Sequence, residues 1–323
     1  MAGQNFLTAN SYFGLALETT RSVAAAVGTF TPVESPKVEP MLTWIKDQAL
    51  RGSPVMDYDE VPATRHDVYT GKVFLYHDVF PQILRAALGS TDTVASVAPS
   101  TWTHTIGLLN QANTGSQPPS YTIINDSVDN TYQMTGSQLS DFSLSLGADK
   151  AAEATINFIG NPYTTVASVS VSESTAHLMP GWDVSASVGG ASVAVIETFD
   201  LNVKRNAIPI FTLGSQAPYR NWAGPIEVSG KFMFVVESGE AYNANALTRD
   251  QQQIVVRITD PVTSYYTQFQ MSAVQLEKPT VDQSKSYIAL ETEFVAVGNT
   301  TDAVNGGYSP IQTITQNGIL TSY

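Results

Sequence analysis

Ser229–Phe234 reads SGKFMF, and Thr70–Leu75, 159 positions earlier, reads TGKVFL. Both segments place a hydroxyl residue and a Gly-Lys pair before apolar side chains. Three further pairs of similar segments keep one common order along the chain: Val38–Asp47 (VEPMLTWIKD) with Ile196–Arg205 (IETFDLNVKR), Tyr132–Leu139 (YQMTGSQL) with Phe269–Leu276 (FQMSAVQL), and Glu153–Asn161 (EATINFIGN) with Glu291–Asn299 (ETEFVAVGN). One pair could arise by chance, but four pairs in order indicate an internal duplication.

The duplication predicts two tandem modules. The offset between paired segments drifts from 158 positions to about 138, which one insertion in the first copy near Gly107–Val128 would explain. We place the first module at residues 1–165, including an N-terminal arm (Met1–Phe13), and the second at residues 166–323. With 323 residues, each module is long enough to bury its own core. Two like modules give one subunit two quasi-equivalent walls, which is more typical of rings and tubes than of enzymes.

Composition and charge restrict the function further. Hydrophobic residues make up 43% of the chain, which excludes wholesale disorder, whereas only 14% are charged, well below the roughly 25% of ordinary soluble domains. Few charges suit a surface that is covered by neighbouring subunits. The net charge of −13 argues against stable nucleic-acid binding. An acidic wall would instead repel phosphate and let DNA slide past; solubility alone is the alternative explanation.

Several site and targeting classes are excluded or not expected. The chain has no cysteine, which removes disulfides, thiolate metal sites and cysteine nucleophiles. No uninterrupted apolar window approaches the roughly 18 residues of a membrane span. The start of the chain, MAGQNFLTANSYFG, lacks a basic segment followed by a long apolar stretch. We therefore expect synthesis and folding in a reducing cytoplasm.

Period-two alternation dominates the sequence and predicts half-buried strands. Gln253–Thr259 alternates three aliphatic residues with polar ones, and Glu291–Val295 sets Thr292 and Phe294 against the other face. The first copy repeats that inner face with Ala154, Ile156 and Phe158. A hairpin is expected at Gly189-Gly190, between Trp182–Val188 and Ala191–Ile196. The predicted fold class is mainly β, with two tandem β-sandwich or barrel modules that each carry a short flanking helix.

One helix is well marked by its sequence. Val79–Leu88 follows Asp78, a favourable N-cap, and precedes Gly89, a favourable residue just past a helix C-terminus. Its apolar stripe, which should cover the open face of the first sheet, consists of Phe80, Ile83, Leu84 and Ala87. In the second copy, Glu237–Asp250 is at most a weaker helix.

No pattern points to catalysis. The four histidines are scattered and form no HExxH motif, and the chain contains neither a GxSxG elbow nor a GxxxxGK[ST] phosphate loop. His104 lies on the face of Trp102 in an expected strand, which favours a packed or interface histidine. Glu291 and Glu293 share a strand face, but two carboxylates without further oxygen ligands do not make a calcium site. We therefore expect no catalytic residue, no cofactor and no metal.

Several motifs resemble the major tail tube proteins of long, non-contractile-tailed bacteriophages. In the first half they are Glu18-Thr19-Thr20 with Gly28–Val33 (GTFTPV), a strand opening at Gly71-Lys72 and leading to a helix that ends at Leu88-Gly89, and Trp102–Thr105 (WTHT). In the second half they are Phe199–Asn206 (FDLNVKRN) and Gly224–Phe232 (GPIEVSGKF). The similarity covers about residues 10–300.

This resemblance implies two packed sheets flanked by a helix, subunits in rings, and rings stacked into a virion tail tube through which DNA passes without specific binding. Members with one fold per chain form hexameric rings, and duplicated members build the same pseudo-sixfold wall from three chains. The repeat therefore favours a homotrimeric ring, with a homohexamer as the alternative. The implied partners are further copies of the chain, a tape measure protein and tail end proteins, without a membrane.

Edge pairing between subunits makes such a ring physically reasonable. An exposed sheet edge is normally a hazard, because its N–H and C=O groups are unpaired. Head-to-tail pairing satisfies each edge and closes the ring if every fold rotates by about one-sixth of a turn. The long loops and Met1–Phe13 are the expected ring-to-ring contacts.

A polar, DNA-repelling lumen should be lined by polar strand faces. The candidate lumen-facing residues are Gln133, Thr135, Asp141 and Glu153 in the first copy, and Gln268, Gln270, Glu291 and Glu293 in the second. Alternatively, these side chains face ordinary solvent. Two other functions stay open: a different phage tail or injection-apparatus component, such as a terminator or baseplate ring, and a carbohydrate-binding or hydrolytic β-protein.

Overall fold

The computed structural model describes residues 11–110, 115–127, 130–170, 172–193, 195–235 and 250–323, except for the side chain of Lys278. Residues 237–249 of the expected weaker helix Glu237–Asp250 lie outside these ranges, as do residues 1–10 of the expected N-terminal arm. Tyr12 and Phe13 of the expected arm belong instead to the first strand. Phe13 is fully buried, so the arm cannot extend beyond the residues that precede the strand.

The described chain is mainly β, as predicted. The elements of the first half are β1 (Tyr12–Leu17), β2 (Phe30–Thr31), β3 (Val33–Asp47), β4 (Asp59–Phe74), α1 (Phe80–Leu88), β5 (Thr93–Ala98), β6 (Thr101–Gly107), β7 (Tyr121–Asp126), β8 (Thr131–Gly147), β9 (Glu153–Gly160) and β10 (Thr164–Val166). Those of the second half are β11 (Val184–Val188), β12 (Ala191–Val193), β13 (Ile196–Lys204), β14 (Ile208–Ile210), β15 (Arg220–Trp222), β16 (Glu227–Val235), β17 (Gln252–Thr259), β18 (Tyr266–Asp282), β19 (Ala289–Ala296) and β20 (Gln312–Asn317).

The alternating sequence pattern is the cause of the buried faces. Ile254, Val256 and Ile258 are all buried, as are Thr292 and Phe294. The first-half counterparts Ala154, Ile156 and Phe158 are buried as well. Because successive strand residues point to opposite sides, one face of each strand joins the core and the other stays polar. These predicted inner faces are confirmed.

Helix α1 begins one residue later than predicted and has a different N-terminus. Val79 is the N-cap, and no side chain caps the helix. The Asp78 carboxylate, predicted to be the cap, instead accepts hydrogen bonds of 2.7 and 2.8 Å from the Ser174 hydroxyl. At the other end, Gly89 has a left-handed φ of 86° and donates its N–H to Arg85, as predicted. The predicted apolar stripe is buried against β6 and β8.

The Gly189-Gly190 hairpin is confirmed. Both glycines have positive φ, 60° and 81°, the combination that a two-residue type I′ turn requires. Val188 lies directly opposite Ala191 across the turn, which joins β11 to β12. These backbone angles are costly for residues with a Cβ atom, so the dipeptide sets the register of this hairpin.

The same scheme of strand pairing occurs in both halves. Seven strand pairings of each half have a counterpart in the other half, whereas β5–β6 and β14–β15 have none. In the first half, the seven are β1–β2, β1–β7, β3–β4, β4–β9, β7–β8, β8–β9 and β8–β10. In the second half, they are β11–β12, β11–β17, β13–β16, β16–β19, β17–β18, β18–β19 and β18–β20. Chain order matches each first-half strand in these lists to its second-half counterpart.

The strand register agrees with the Gly-Lys repeat but not with the alignment of Val38–Asp47 with Ile196–Arg205. Gly71 lies opposite Ile156 and Gly230 opposite Phe294, which preserves the offsets of 159 and 138 positions. In contrast, Glu34 lies opposite Lys72 and Asp200 opposite Lys231. Glu34 and Asp200 are 166 positions apart, so aligning Val38–Asp47 with Ile196–Arg205 was wrong. Val38–Asp47 instead extends the β3–β4 hairpin, whose outer part has no matching sequence in β13.

Strands β8 and β18 are long, and each contributes to both layers of the sandwich. Their N-terminal parts pair with β7 and β17, and their C-terminal parts pair with β9 and β19. In β8, the change of layer coincides with Gly136, which has a φ of 61°. The core lies between the layers, as shown by the Phe13 ring of β1 stacked 4.7 Å from the Tyr69 ring of β4.

The two halves join edge to edge in two places, where β6 pairs with β20 and where β8 pairs with β13. Strand β13 pairs antiparallel with β8, and Thr198–Lys204 lies opposite Gly147–Asp141 without a bulge. This contact creates one continuous run of eight strands in the order β3, β4, β9, β8, β13, β16, β19 and β18.

Candidate functional site: a polar sheet face across both halves

The eight-stranded run has one apolar and one polar side. Its core side carries buried residues that alternate with polar ones, including Leu144, Leu201, Phe232 and Phe294. On the other side, one row of directly opposed residues reads Glu153, Ser145, Asp200, Lys231, Glu293 and Glu277. The adjacent row reads Lys72, Thr155, Ser143, Asn202, Ser229, Val295 and Gln275. We call this surface the polar face.

Side-chain hydrogen bonds connect the two halves across the polar face. The Ser145 hydroxyl donates a 2.7 Å hydrogen bond to the Asp200 carboxylate. One row further along, the Ser143 hydroxyl donates to the side-chain oxygen of Asn202. The junction between β8 and β13 is therefore held by side chains as well as by the backbone ladder.

Each half also carries one matching ion pair on this face. The Lys72 ammonium lies 3.5 Å from the Glu153 carboxylate, and the Lys231 ammonium lies 3.8 Å from that of Glu291. All four side chains remain about one-third to one-half exposed. Exposed pairs of this kind contribute only about 0–1 kcal/mol each, so their main effect is on the electrostatic potential of the face.

Acidic groups predominate on the polar face. Its carboxylates include Glu34, Glu39, Asp141, Glu153, Asp200, Glu227, Glu277, Glu291 and Glu293, against the ammonium groups of Lys37, Lys72, Lys204 and Lys231. A shallow groove of about 510 Å³ crosses the junction between the halves and is lined by Ser145, Asp200 and Glu293 among others. A face with this excess of negative charge repels phosphate.

The structure divides the eight residues predicted to line a lumen into two groups. Asp141, Glu153, Glu291 and Glu293 lie together on the polar face. The other four, Gln133, Thr135, Gln268 and Gln270, lie on the N-terminal parts of β8 and β18, in the other layer.

Within the second group, local contacts hold the glutamines. Gln268 is buried, and its side-chain oxygen accepts hydrogen bonds of 2.7 and 3.0 Å from Arg257. The Gln270 amide donates to Ser272 and Asp302. Gln133 and Thr135 are half-buried. The sequence pattern gave no sign that β8 and β18 change layers between these residues and the carboxylates further along.

Sequence reasoning missed two groups on the polar face. Asp200, Asn202 and Lys204 alternate with apolar residues in β13, but the expected repeat aligned this segment with the wrong part of β3. Glu277 was missed because it lies one residue beyond the repeat segment Phe269–Leu276. Alternation in both segments was the available signal.

The conspicuous glutamate of the Glu18-Thr19-Thr20 motif has a structural role. Its buried carboxylate accepts hydrogen bonds from the hydroxyls of Ser120 and Thr122, at 2.6 and 3.0 Å. It also accepts from the backbone N–H groups of Ser22 and Gly136, both at 2.8 Å. Glu18 thus ties the segment after β1 to β7 and to the bend in β8.

Two histidines lie inside the fold. His104 is buried, and its Nδ1 lies 2.7 Å from the Asp92 carboxylate, in agreement with the predicted packed histidine. Burial lowers the pKa of His77, and Asp78 and Asp260 only partly oppose that effect. The His77 Nε2 atom lies 3.8 Å from the Asp260 carboxylate. These contacts stabilise the fold and lie away from the polar face.

The described ranges contain no cluster of three or more His, Cys, Asp or Glu side chains suited to a metal ion. Nor does any helix within them have both the length and the apolar composition that a membrane crossing requires.

A family model described as phage tail tube protein matches residues 8–313. The chain belongs to the phage tail tube family. As a tail tube protein, it is a structural component of the phage virion: it assembles with copies of itself into the tail tube, the conduit for DNA delivery. A comparison with curated protein sequences found no match. The mainly β sandwich, with its large antiparallel sheets, agrees with this family.

Proposed function

We propose that this tail tube protein forms homotrimeric rings with pseudo-sixfold symmetry, and that the polar face of each chain lines the lumen. The observation that carries the proposal is the β8–β13 pairing, which places two halves with the same strand pairings side by side in one sheet. Three such chains would provide six similar modules. A homohexamer of whole chains is the alternative, and would provide twelve.

The free edges of the sheet support lateral assembly. In the described part of the chain, β3 pairs with β4 alone, and the C-terminal part of β18 pairs with β19 alone. These are the counterparts of β13 and β8, the two strands that pair with each other inside the chain. An edge-to-edge contact repeated from chain to chain is heterologous, so it closes into a ring if the rotation per module is about one-sixth of a turn.

The proposed lumen lining combines predicted and newly identified residues. Asp141, Glu153, Glu291 and Glu293 were expected there, and Asp200 joins them on the polar face. Because carboxylates outnumber lysines on this surface, DNA would pass along a wall that repels its phosphates and offers no basic stripe for binding. A tape measure protein would occupy the lumen before DNA does.

Stacking of rings would use surfaces outside the sheet. The β3–β4 hairpin projects apolar side chains into solvent, with Leu50 and Met56 largely or fully exposed at its tip and Ile45 exposed on its stem. Large exposed apolar groups mark contact surfaces. We assign this hairpin and the N-terminal segment before Tyr12 to ring-to-ring contacts. Tail end proteins would meet the same surfaces at the two ends of the tube.

We further propose that the protein has no catalytic activity, cofactor or metal, and that assembly takes place in the cytoplasm of the bacterial host. Membership of a structural tail tube family supports this proposal, and two lysines of the polar face, Lys72 and Lys231, are paired with glutamates.

Electron microscopy of the purified chain tests the proposed function. Long hollow tubes are the expected result. Single rings that do not stack would favour a terminator or baseplate component, and dispersed monomers with affinity for glycans would favour a carbohydrate-binding protein. A variant lacking residues 1–10 should still fold and form rings but stack poorly. Normal tubes from that variant would remove the role assigned to the N-terminal segment.

A further inference from the structure

The pairing inside the chain contains enough information to derive the pairing between chains. Across the β8–β13 junction, Asp200 lies opposite Ser145, Asn202 opposite Ser143, and Lys204 opposite Asp141. If β3 and β18 repeat this contact in the ring, each of these residues has a counterpart on one of these two edge strands. The derivation rests on the proposed ring and names its interface residue by residue.

The counterparts on β3 follow from its pairing with β4. Glu34 faces Lys72 as Asp200 faces Lys231. Lys37 lies opposite Thr70, and Asn202 lies opposite Ser229. Because Thr70 and Ser229 are related by the same offset of 159 positions, Lys37 corresponds to Asn202. Continuing along the strand, Glu39 takes the place of Lys204.

The counterparts on β18 follow independently from its pairing with β19. Glu277 faces Glu293 as Ser143 faces Thr155, with the offset of 138 positions between β9 and β19. By the same comparison, Thr280 takes the place of Ser145, and Gln275 takes the place of Asp141.

We propose that β3 of one chain pairs antiparallel with β18 of the next, with Glu34 opposite Thr280, Lys37 opposite Glu277, and Glu39 opposite Gln275. The counterparts on β3 and those on β18 were obtained from different strand pairings, yet together they give one continuous register. Each step along β3 from one pair to the next is matched by an equal step in the opposite direction along β18. A wrong correspondence on either strand would have broken this match.

Two matched bulges strengthen the register. Strand β3 is irregular between Glu34 and Lys37, and β18 is irregular between Glu277 and Thr280. Each irregular stretch holds two residues, Ser35-Pro36 on β3 and Lys278-Pro279 on β18. In the proposed register, the two stretches lie opposite each other, so neither strand is left with an unmatched residue. Proline at a sheet edge and bulges are common devices against indiscriminate edge pairing.

Charge is complementary at the central pair. Lys37 is exposed and positive, and in the single chain its ammonium lies 2.5 Å from the Glu39 carboxylate. Glu277 is exposed and negative, and directly opposed side chains in an antiparallel pair lie about 4.5–5.5 Å apart, so Lys37 would lie between two carboxylates in the ring. Inside the chain, the equivalent position is the Ser143–Asn202 hydrogen bond. The partner that fits the β18 edge is therefore the β3 edge of a second copy of this chain.

Disulfide trapping in assembled tubes tests this register, because the chain has no cysteine of its own. The variant Lys37→Cys with Glu277→Cys should cross-link under mild oxidation into covalent dimers and trimers on a denaturing gel. A bond within one chain is excluded, since seven strand spacings of about 4.8 Å separate the two positions by roughly 34 Å. The matched control is Glu39→Cys with Thr280→Cys, which the register places about 16 Å apart, too far for a disulfide.

The outcomes separate the register from the ring. Cross-linking of the first variant but not of the control supports the proposal. Intact tubes in which the control cross-links, or in which neither variant does, would overturn the register and leave the tube function standing. If the unmodified chain forms no rings or tubes, both the function and the register are wrong. Mixing single Lys37→Cys chains with single Glu277→Cys chains should give cross-linked dimers and nothing larger.

Discussion

The Lys72 ammonium lies 3.5 Å from the Glu153 carboxylate, and this pair recurs as Lys231 with Glu291 at 3.8 Å. The lysines are 159 positions apart and the glutamates 138, which are the offsets of the sequence repeats that contain them. Both pairs join the same two strands of their half, β4 to β9 and β16 to β19. Each ion pair contributes little energy, but its recurrence at corresponding positions of the two halves supports the proposed duplication.

The glycines before these two lysines should respond differently to alanine. A Cβ at Gly230 would lie 2.2 Å from the Asp200 carbonyl oxygen and 2.5 Å from the Phe294 ring, whereas at Gly71 it would meet the ends of the Val33 and Tyr69 side chains at 2.9 and 3.1 Å. Gly230→Ala should therefore cost about 3 kcal/mol, because backbone cannot move aside, and Gly71→Ala about 1 kcal/mol. Urea unfolding of the unassembled chain measures both. Equal costs would contradict the difference in packing.

Glu18→Ala should destabilise the fold by about 3 kcal/mol. The change leaves the Gly136 N–H and the hydroxyls of Ser120 and Thr122 without their common acceptor, and buried donors without partners are costly. Thermal unfolding followed by circular dichroism measures the loss. Asp149→Ala, at an exposed position, is the control and should stay within about 0.5 kcal/mol of the unmodified chain. A Glu18 variant as stable as this control would exclude the structural role.

His77 should make the fold less stable in mild acid. Burial lowers its pKa in the folded state below the unfolded value of about 6.5. Stability from this group is therefore complete above pH 6.5 and is lost as the pH falls from there through the folded pKa, because the unfolded chain binds the proton first. Asp78, Asp260 and His177 are the charged neighbours that modify this shift.

His77→Phe is the corresponding variant. It should reduce the fall in melting temperature between pH 7 and pH 5. A smaller fall should remain, because burial also lowers the pKa of His66. The measurement is the melting temperature of the unassembled chain across this pH range. An unchanged slope would show that His77 does not titrate in this way.

Neutralising the polar face should make assembled tubes retain DNA. The variant Glu153→Gln with Glu293→Gln removes two negative charges and leaves Lys72 without its partner, so repulsion of phosphate weakens. Retention of short double-stranded DNA by purified tubes should rise several-fold at low salt and fall again as salt is added. The matched control, Asp149→Asn with Glu173→Gln, removes the same charge away from the face. Equal retention by the two variants would argue against the assigned lumen.

Local sequence signals predicted the elements that depend on local physics. Alternation gave the inner faces of β9, β17 and β19, and Gly189-Gly190 gave its hairpin, because strand burial and turn geometry are decided within a few residues. Asp78 failed as a helix cap because Ser174, 96 positions away, competes for its carboxylate. No local pattern reveals such a long-range partner.

Long-range register explains the remaining differences. The extension of β3 beyond its counterpart β13 displaced the expected alignment of Val38–Asp47, and the bend at Gly136 separated Gln133 and Thr135 from Asp141. Both follow from how strands pair across the sheet, which single-chain patterns do not specify. The polar face could be anticipated only in part, because β13 joins it through a contact between the two halves.

The number of chains in each ring, measured by electron cryomicroscopy of assembled tubes without imposed symmetry, tests the central claim most directly. Three chains per ring are expected, with the sheet unbroken around the wall and Asp200 facing inward. Six whole chains per ring, or a polar face directed to the outside of the tube, would contradict it.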